Sequence, residues 1–239
     1  MKMRTLLLTT YYQLLIFTRV KVAVFFSFVF PVFLFIVFSF IWGRHNPDYS
    51  KFLLTGIIIM KVTSDALFSI GGAIVGYLQG GVLKFLKGLP TSVMVHLWAL
   101  ILSRALIAIV TSAALTGIGI WFFKIEFQPM ELLYIFFGIA GAFIIFSFLS
   151  LTISFLAKDK SGDISLTNFV YFIMIFLSDI FYPLSELNPA LGKIAAFLPT
   201  GPVIALTRGD AESGVWTLVW ALIVAVIFYF SFKNHKIGR

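Results

Sequence analysis

The chain has 239 residues, 60% hydrophobic and 12% charged, with a formal net charge of +8 and a mean hydropathy of +1.03. That composition needs lipid as its solvent and marks an integral membrane protein rather than a soluble domain. The basic residues cluster at the ends and between apolar runs, which argues against a nucleic-acid partner, and with no cysteine there is no disulfide, thiolate metal site or cysteine nucleophile.

Residues 1–21 read as an interfacial helix. Thr5, Thr9 and Gln13 form one stripe, while Leu7, Tyr11, Leu14 and Leu15 lie around the other side, as in a helix lying flat on the inner leaflet. Crossing about 30 Å of hydrocarbon takes about 20 helical residues. Six apolar stretches meet that need, at about 22–42, 52–79, 93–123, 130–156, 164–180 and 215–232. The first lacks a small-residue cleavage site and lies too far from the start for a removable signal, so it stays in the mature protein.

The fold class is therefore an all-α integral membrane protein, a single transmembrane domain over 1–239. Lys2, Arg4, Arg19, Lys21, Lys84, Lys87, Lys158, Lys160, Lys233, Lys236 and Arg239 fall on the side of the termini; Arg44, Lys51, Lys124, Lys193 and Arg208 fall opposite. That bias of 11 to 5 puts both termini in the cytoplasm, in a multi-pass protein of the cell membrane.

Within the second span, Lys61 and Asp65 stand four residues apart and share one helical face. With the helix starting near Phe52, Lys61 lies about 15 Å in, near mid-membrane. Each ion there costs about 2.5–3.5 kcal/mol unless paired or wet. The two are thus either a neutralised pair between spans or the lining of a substrate pathway. Gly72, Gly76 and Gly80 repeat at four-residue spacing in the same span and would let a neighbouring helix approach closely, as would Gly138 and Ala142 in the fourth. Arg104 in the third span is placed to snorkel toward the inner head groups.

Between the second and third spans, "LQGGVLKFLKGLPTS" reads as a short cytoplasmic helix over 81–89. Val82, Phe85, Leu86 and Leu89 share one side and Lys84 and Lys87 oppose them. Before the last span, residues 181–210 hold four of the eight prolines. Asn188 and Pro189 read as an N-cap and first helical residue; Leu191, Ile194, Ala195 and Leu198 continue on one face, and Pro199 stops the helix. This is an extracytoplasmic half-helix, re-entrant or interfacial, rather than a seventh span.

The order of these pieces resembles the membrane subunit of ABC-2 type exporters. "GVLKFLKGLPTS" is similar to the family's Gly-Thr-Leu-x-x-Leu-x-x-x-Pro-Leu-Ser stretch at Gly81, Leu83, Leu86, Pro90 and Ser92, and "FYPLSELNPALGKIAAFLPTGPV" looks like its Phe-x-Pro pattern at Phe181 and Pro183 with the later Leu198 and Pro199. Tyr77, Leu78, Gln79 and Gly80 stand where the family often has arginine and glutamate. The resemblance implies a permease that pairs with itself or a relative and exports a lipid, glycan, peptide or hydrophobic drug. A separate cytoplasmic ATPase would hold ATP and magnesium, and 81–89 would be its coupling helix, with Val82, Leu83, Lys84, Phe85, Leu86, Lys87 and Leu89 as contacts. In keeping with this, the chain carries no G-x-x-x-x-G-K-[ST] phosphate loop and so no cofactor of its own. Two other classes stand beside it. An ion- or proton-coupled secondary transporter would use Asp65, but the charged pair has no counterpart in the fifth span. An intramembrane enzyme would need paired acids or a Ser/His constellation, and no catalytic or metal-ligating set is visible.

Overall fold

The computed structural model describes residues 2–43, 47–79, 93–157 and 159–234, and among these all regular structure is helical. Helix α1 (Lys2–Arg19) breaks at Val20, and α2 (Lys21–Gly43) follows at once. Then come α3 (Pro47–Gln79), α4 (Val93–Phe123), α5 (Pro129–Leu156), α6 (Lys160–Phe176), the short α7 (Leu184–Leu187), α8 (Pro189–Phe197), α9 (Thr200–Thr207) and α10 (Ser213–Asn234).

Helices α2, α3, α4, α5 and α10 are long and apolar enough to cross a membrane. Helix α6, the fifth expected span, has 17 residues, a length of about 26 Å at the lower limit for a crossing. The second span begins earlier than its apolar run. Pro47 opens α3, with Asp48 in its first turn, where a missing N–H costs nothing and a carboxylate suits the helix dipole.

Helix α3 is the hub. In its most apolar window 83% of residues are buried, against 11% in α10. The core gathers on it: Leu53, Ile57, Ile58, Leu67 and Ile70 are fully buried and pack with Phe35, Phe146, Ile180 and Val203 from four other segments. Close approach is made possible by missing side chains. A Cβ at Gly56 would strike the backbone of Ile180, and one at Gly138 would strike Thr207. Gly72 and Gly76, by contrast, face open space within the subunit.

Helix α1 packs against α4 and reaches α3. Thr10 and Phe17 are buried, Gln13 donates to Tyr77 Oη at 3.1 Å, and Leu7, Leu8, Tyr11, Tyr12 and Ile16 face outward. The helix turns its polar stripe to the protein and its apolar side away, the orientation a lipid surrounding favours.

Before the last span the structure has three helices, the one-turn α7, α8 and α9, where the sequence suggests one. Asn188 Oδ1 accepts from Ala190 N at 2.8 Å and caps α8, and α8 ends at Leu198. Pro199 then makes a corner, and α9 leaves it at 90° to α8. Pro202 is tolerated because it lies in the first turn of α9, where backbone N–H groups have no partner to lose.

Candidate functional site

At the middle of α3 lies a buried polar cluster. Pro31 in α2 removes the N–H that would bond the Ser27 carbonyl and crowds that oxygen with its ring. The helix responds with a π turn over Phe25–Val29, in which Phe30 N bonds back to Phe25 O. The turn carries Ser27 to the inside, where its hydroxyl donates to the Asp65 carboxylate, 2.8 and 3.0 Å from the two oxygens. Lys61 Nζ lies 2.5 Å from Asp65 Oδ2, a buried ion pair. Lys61 is 1% and Asp65 7% exposed. The structure thus brings the two sequence-predicted residues together and adds Ser27 from another helix.

Arg104 of α4 is half-buried between α1 and the cluster. Its guanidinium stacks over the Phe17 ring of α1, 4.9 Å from the centroid, and its charge is felt by Asp65. Its Nε and Nη1 are buried and meet no acceptor among the described residues. The cluster therefore holds two cations and one carboxylate, and the carboxylate is the limiting partner.

A second polar group lies at the N-terminal end of α3. Lys51 of α3 pairs with Glu131 of α5 at 2.7 Å, and Glu131 Oε2 also accepts from Gln128 N at 2.8 Å, capping α5. Arg208 is delivered by the end of α9. Gly209 takes the left-handed conformation (φ +100°), Gly209 N bonds Leu206 O and Asp210 N bonds Ala205 O, which is a Schellman stop. From there the guanidinium lies on the Phe52 ring, 3.6 Å from its centroid. Nη2 donates to Phe52 O at 3.2 Å and Asp179 O at 2.6 Å, and Nε to Thr55 Oγ1 at 3.3 Å. A cavity of about 200 Å³ opens between these groups, walled by Phe52, Thr55, Phe127 and Ile135. Its charges balance, since Asp48 and Glu131 offset Lys51 and Arg208.

Among the described residues no three His, Asp or Glu side chains converge as a metal site. Residues 80–92, with Val82, Leu83, Lys84, Phe85, Leu86, Lys87 and Leu89, lie outside the described residues.

The chain matches the family described as ABC-2 type transporter over residues 4–209. It belongs to that family. As an ABC-2 permease it is the membrane component of a transporter, and the match runs from α1 to the end of α9, taking in both polar groups. No curated protein is similar enough to count as a match. Sequence reasoning missed Ser27, the role of Arg208 and the Lys51–Glu131 pair. Pro31 four residues after Ser27 was the available signal for the first; the others depend on which helices meet.

Proposed function

We propose that this permease works in an ATP-driven exporter of a lipid, glycan, peptide or hydrophobic drug, as a homodimer or with a related permease. A separate cytoplasmic ATPase holds the ATP and magnesium and docks on residues 81–89. The observation that supports this most is the span of the family match, 4–209, which includes the segment whose apolar ridge and two lysines suit a docking helix. The outward faces of α2 and α10, rich in Phe25, Phe26, Phe33, Trp216 and Leu222, are open to lipid or to a second permease. An ion-coupled carrier would need Asp65 wet, and a carboxylate 7% exposed and already held by Lys61 and Ser27 gives that alternative little support. The same burial favours a packing role for Lys61 and Asp65 over direct contact with cargo.

The test is at the docking segment. Phe85→Ala is expected to leave insertion and pairing intact while abolishing transport-dependent stimulation of the ATPase. Changing Lys84 and Lys87 to Glu weakens ATPase co-purification in a salt-sensitive way, because rim charges are screened within about 8 Å at physiological ionic strength. Full stimulation and undiminished ATPase binding in both variants would overturn the docking role.

Orientation is checked separately. With both termini cytoplasmic, single cysteines replacing Gln128 and Glu212 in this cysteine-free chain label from outside with an impermeant reagent, and one replacing Ser161 labels only after permeabilisation. Labelling of the Ser161 position from outside would reverse the assignment.

A further inference from the structure

At Leu67–Gly71 a side chain from a neighbouring helix meets the backbone of α3. Gly71 N donates to Ser150 Oγ of α5 at 2.8 Å, and Ser150 Oγ donates to Leu67 O at 2.6 Å. Leu67 and Gly71 stand four apart, so they are the acceptor and donor of a single i→i−4 rung. A hydroxyl from the neighbouring helix holds both groups, and it is 1% exposed. In a membrane a helix cannot open a rung freely, since no water replaces the lost partners. Here the replacement is already in place, and a side chain inserted at the ladder is a recognised cause of bending.

Gly71 is what admits the hydroxyl. A Cβ at this position would lie 2.6 Å from Ser150 Oγ and 2.7 Å from Ser154 Oγ. Ser154 is tied in turn to Asp163 at the start of α6, 2.9 Å away, so the strip of α5 facing this rung is braced from behind.

The two halves of α3 are held unequally. Above the rung, Lys51 is paired to Glu131, Phe52 and Thr55 to Arg208, and Asp65 to Ser27 of α2. Below it, Gly72 and Gly76 leave open space where side chains would pack, and Tyr77 is bonded to Gln13 of α1 rather than to the core.

We infer that α3 hinges at Leu67–Gly71, and that Ser150 is a positioning residue that sets the angle of the lower half of α3. That half runs directly toward 81–89, so the hinge deepens the docking proposal above: it is the point at which motion of the docking segment meets the pinned bundle. The hinge itself does not require that reading.

The experiment measures the angle without the ATPase. Cysteines replacing Asp48 and Gly76, both outward-facing, carry spin labels in the full chain reconstituted in lipid nanodiscs, and pulsed EPR gives their separation. Twenty-eight residues of straight helix span about 42 Å. The otherwise unsubstituted chain is expected to show a shorter population beside the straight one. Ser150→Ala lets Gly71 and Leu67 close an ordinary rung and collapses the distribution onto about 42 Å. Gly71→Ala, whose methyl displaces the hydroxyl with the sequence of α5 unchanged, does the same and serves if the first variant folds poorly. Ser147→Ala, which removes a hydroxyl bonded within α5 to Phe143 O, leaves the distribution unchanged. An unaltered distribution in Ser150→Ala or Gly71→Ala, or an equal collapse in Ser147→Ala, overturns the hinge. Full ATPase stimulation and binding in Phe85→Ala and in the Lys84 and Lys87 to Glu variant, with the EPR result intact, would instead count against the docking segment alone.

Discussion

Asp65→Ala is expected to destabilise the folded permease by about 3–5 kcal/mol, the cost of leaving a buried ion without its partner. The reason is the charge inventory around α3. Lys61 and Arg104 both look to Asp65, and Ser27 adds a hydroxyl that has value only while the carboxylate is there. Removing Asp65 leaves two cations together in a low-dielectric interior. Lys61→Ala is milder, because Asp65 keeps Ser27 and the buried Nε and Nη1 of Arg104, without acceptors among the described residues, are available to take the vacated charge. The double change recovers part of the loss, since one stranded cation goes with the carboxylate. Thermal stability of detergent-solubilised protein should therefore rank Lys61→Ala above the double variant and the double variant above Asp65→Ala. Equal losses from Lys61→Ala and Asp65→Ala would show that Arg104 does not substitute, and an unimproved double variant would mean the two residues act independently.

Much of this arrangement is legible in the sequence. The apolar runs give the spans because lipid imposes a length, and the i, i+4 spacing of Lys61 and Asp65 puts them on one face whatever surrounds them. Contacts between helices are not legible. Ser27 reaches Asp65 only because Pro31 forces a π turn, and one serine in a phenylalanine-rich run does not announce that. The glycine repeat at 72, 76 and 80 points to a seam, yet the close contact is made by Gly71, one residue off the repeat, where a serine of α5 comes to the backbone. "LPTGP" reads as a stop, and two prolines and a glycine do end α8. They also begin α9, because Pro202 sits in a first turn and Gly201 fits beneath the carbonyls of Ala195 and Ala196. Local punctuation marks the corner, whereas the course of the chain beyond it is set by the packing of α9 on α5 and α3.

Arg208→Ala is the second large effect expected, and a local one. The guanidinium joins three separate pieces: the end of α9 that carries it, the first turns of α3 through Phe52 and Thr55, and the turn after α6 through Asp179 O. Hydrogen bonds to charged groups contribute about 1.5–3 kcal/mol each, and a desolvated cation over an aromatic face about 2. Some of this is offset by the cost of ordering and drying the side chain, so a net loss of about 3 kcal/mol is the expected scale, within the usual range for breaking a buried network. Arg208→Lys should recover less than half, because an ammonium is a single point and cannot donate to carbonyls on two elements while lying flat on Phe52. Hydrogen exchange distinguishes this from general unfolding. In Arg208→Ala, protection should fall over Thr200–Thr207 and over residues 177–183, while amides near the far end of α5, where Ser150 bonds Leu67 and Gly71 and Ser154 bonds Asp163, keep theirs. Uniform loss of protection would make Arg208 a general packing residue. Full protection in Arg208→Lys would show that charge alone, without the fork, holds α8 and α9 against α3.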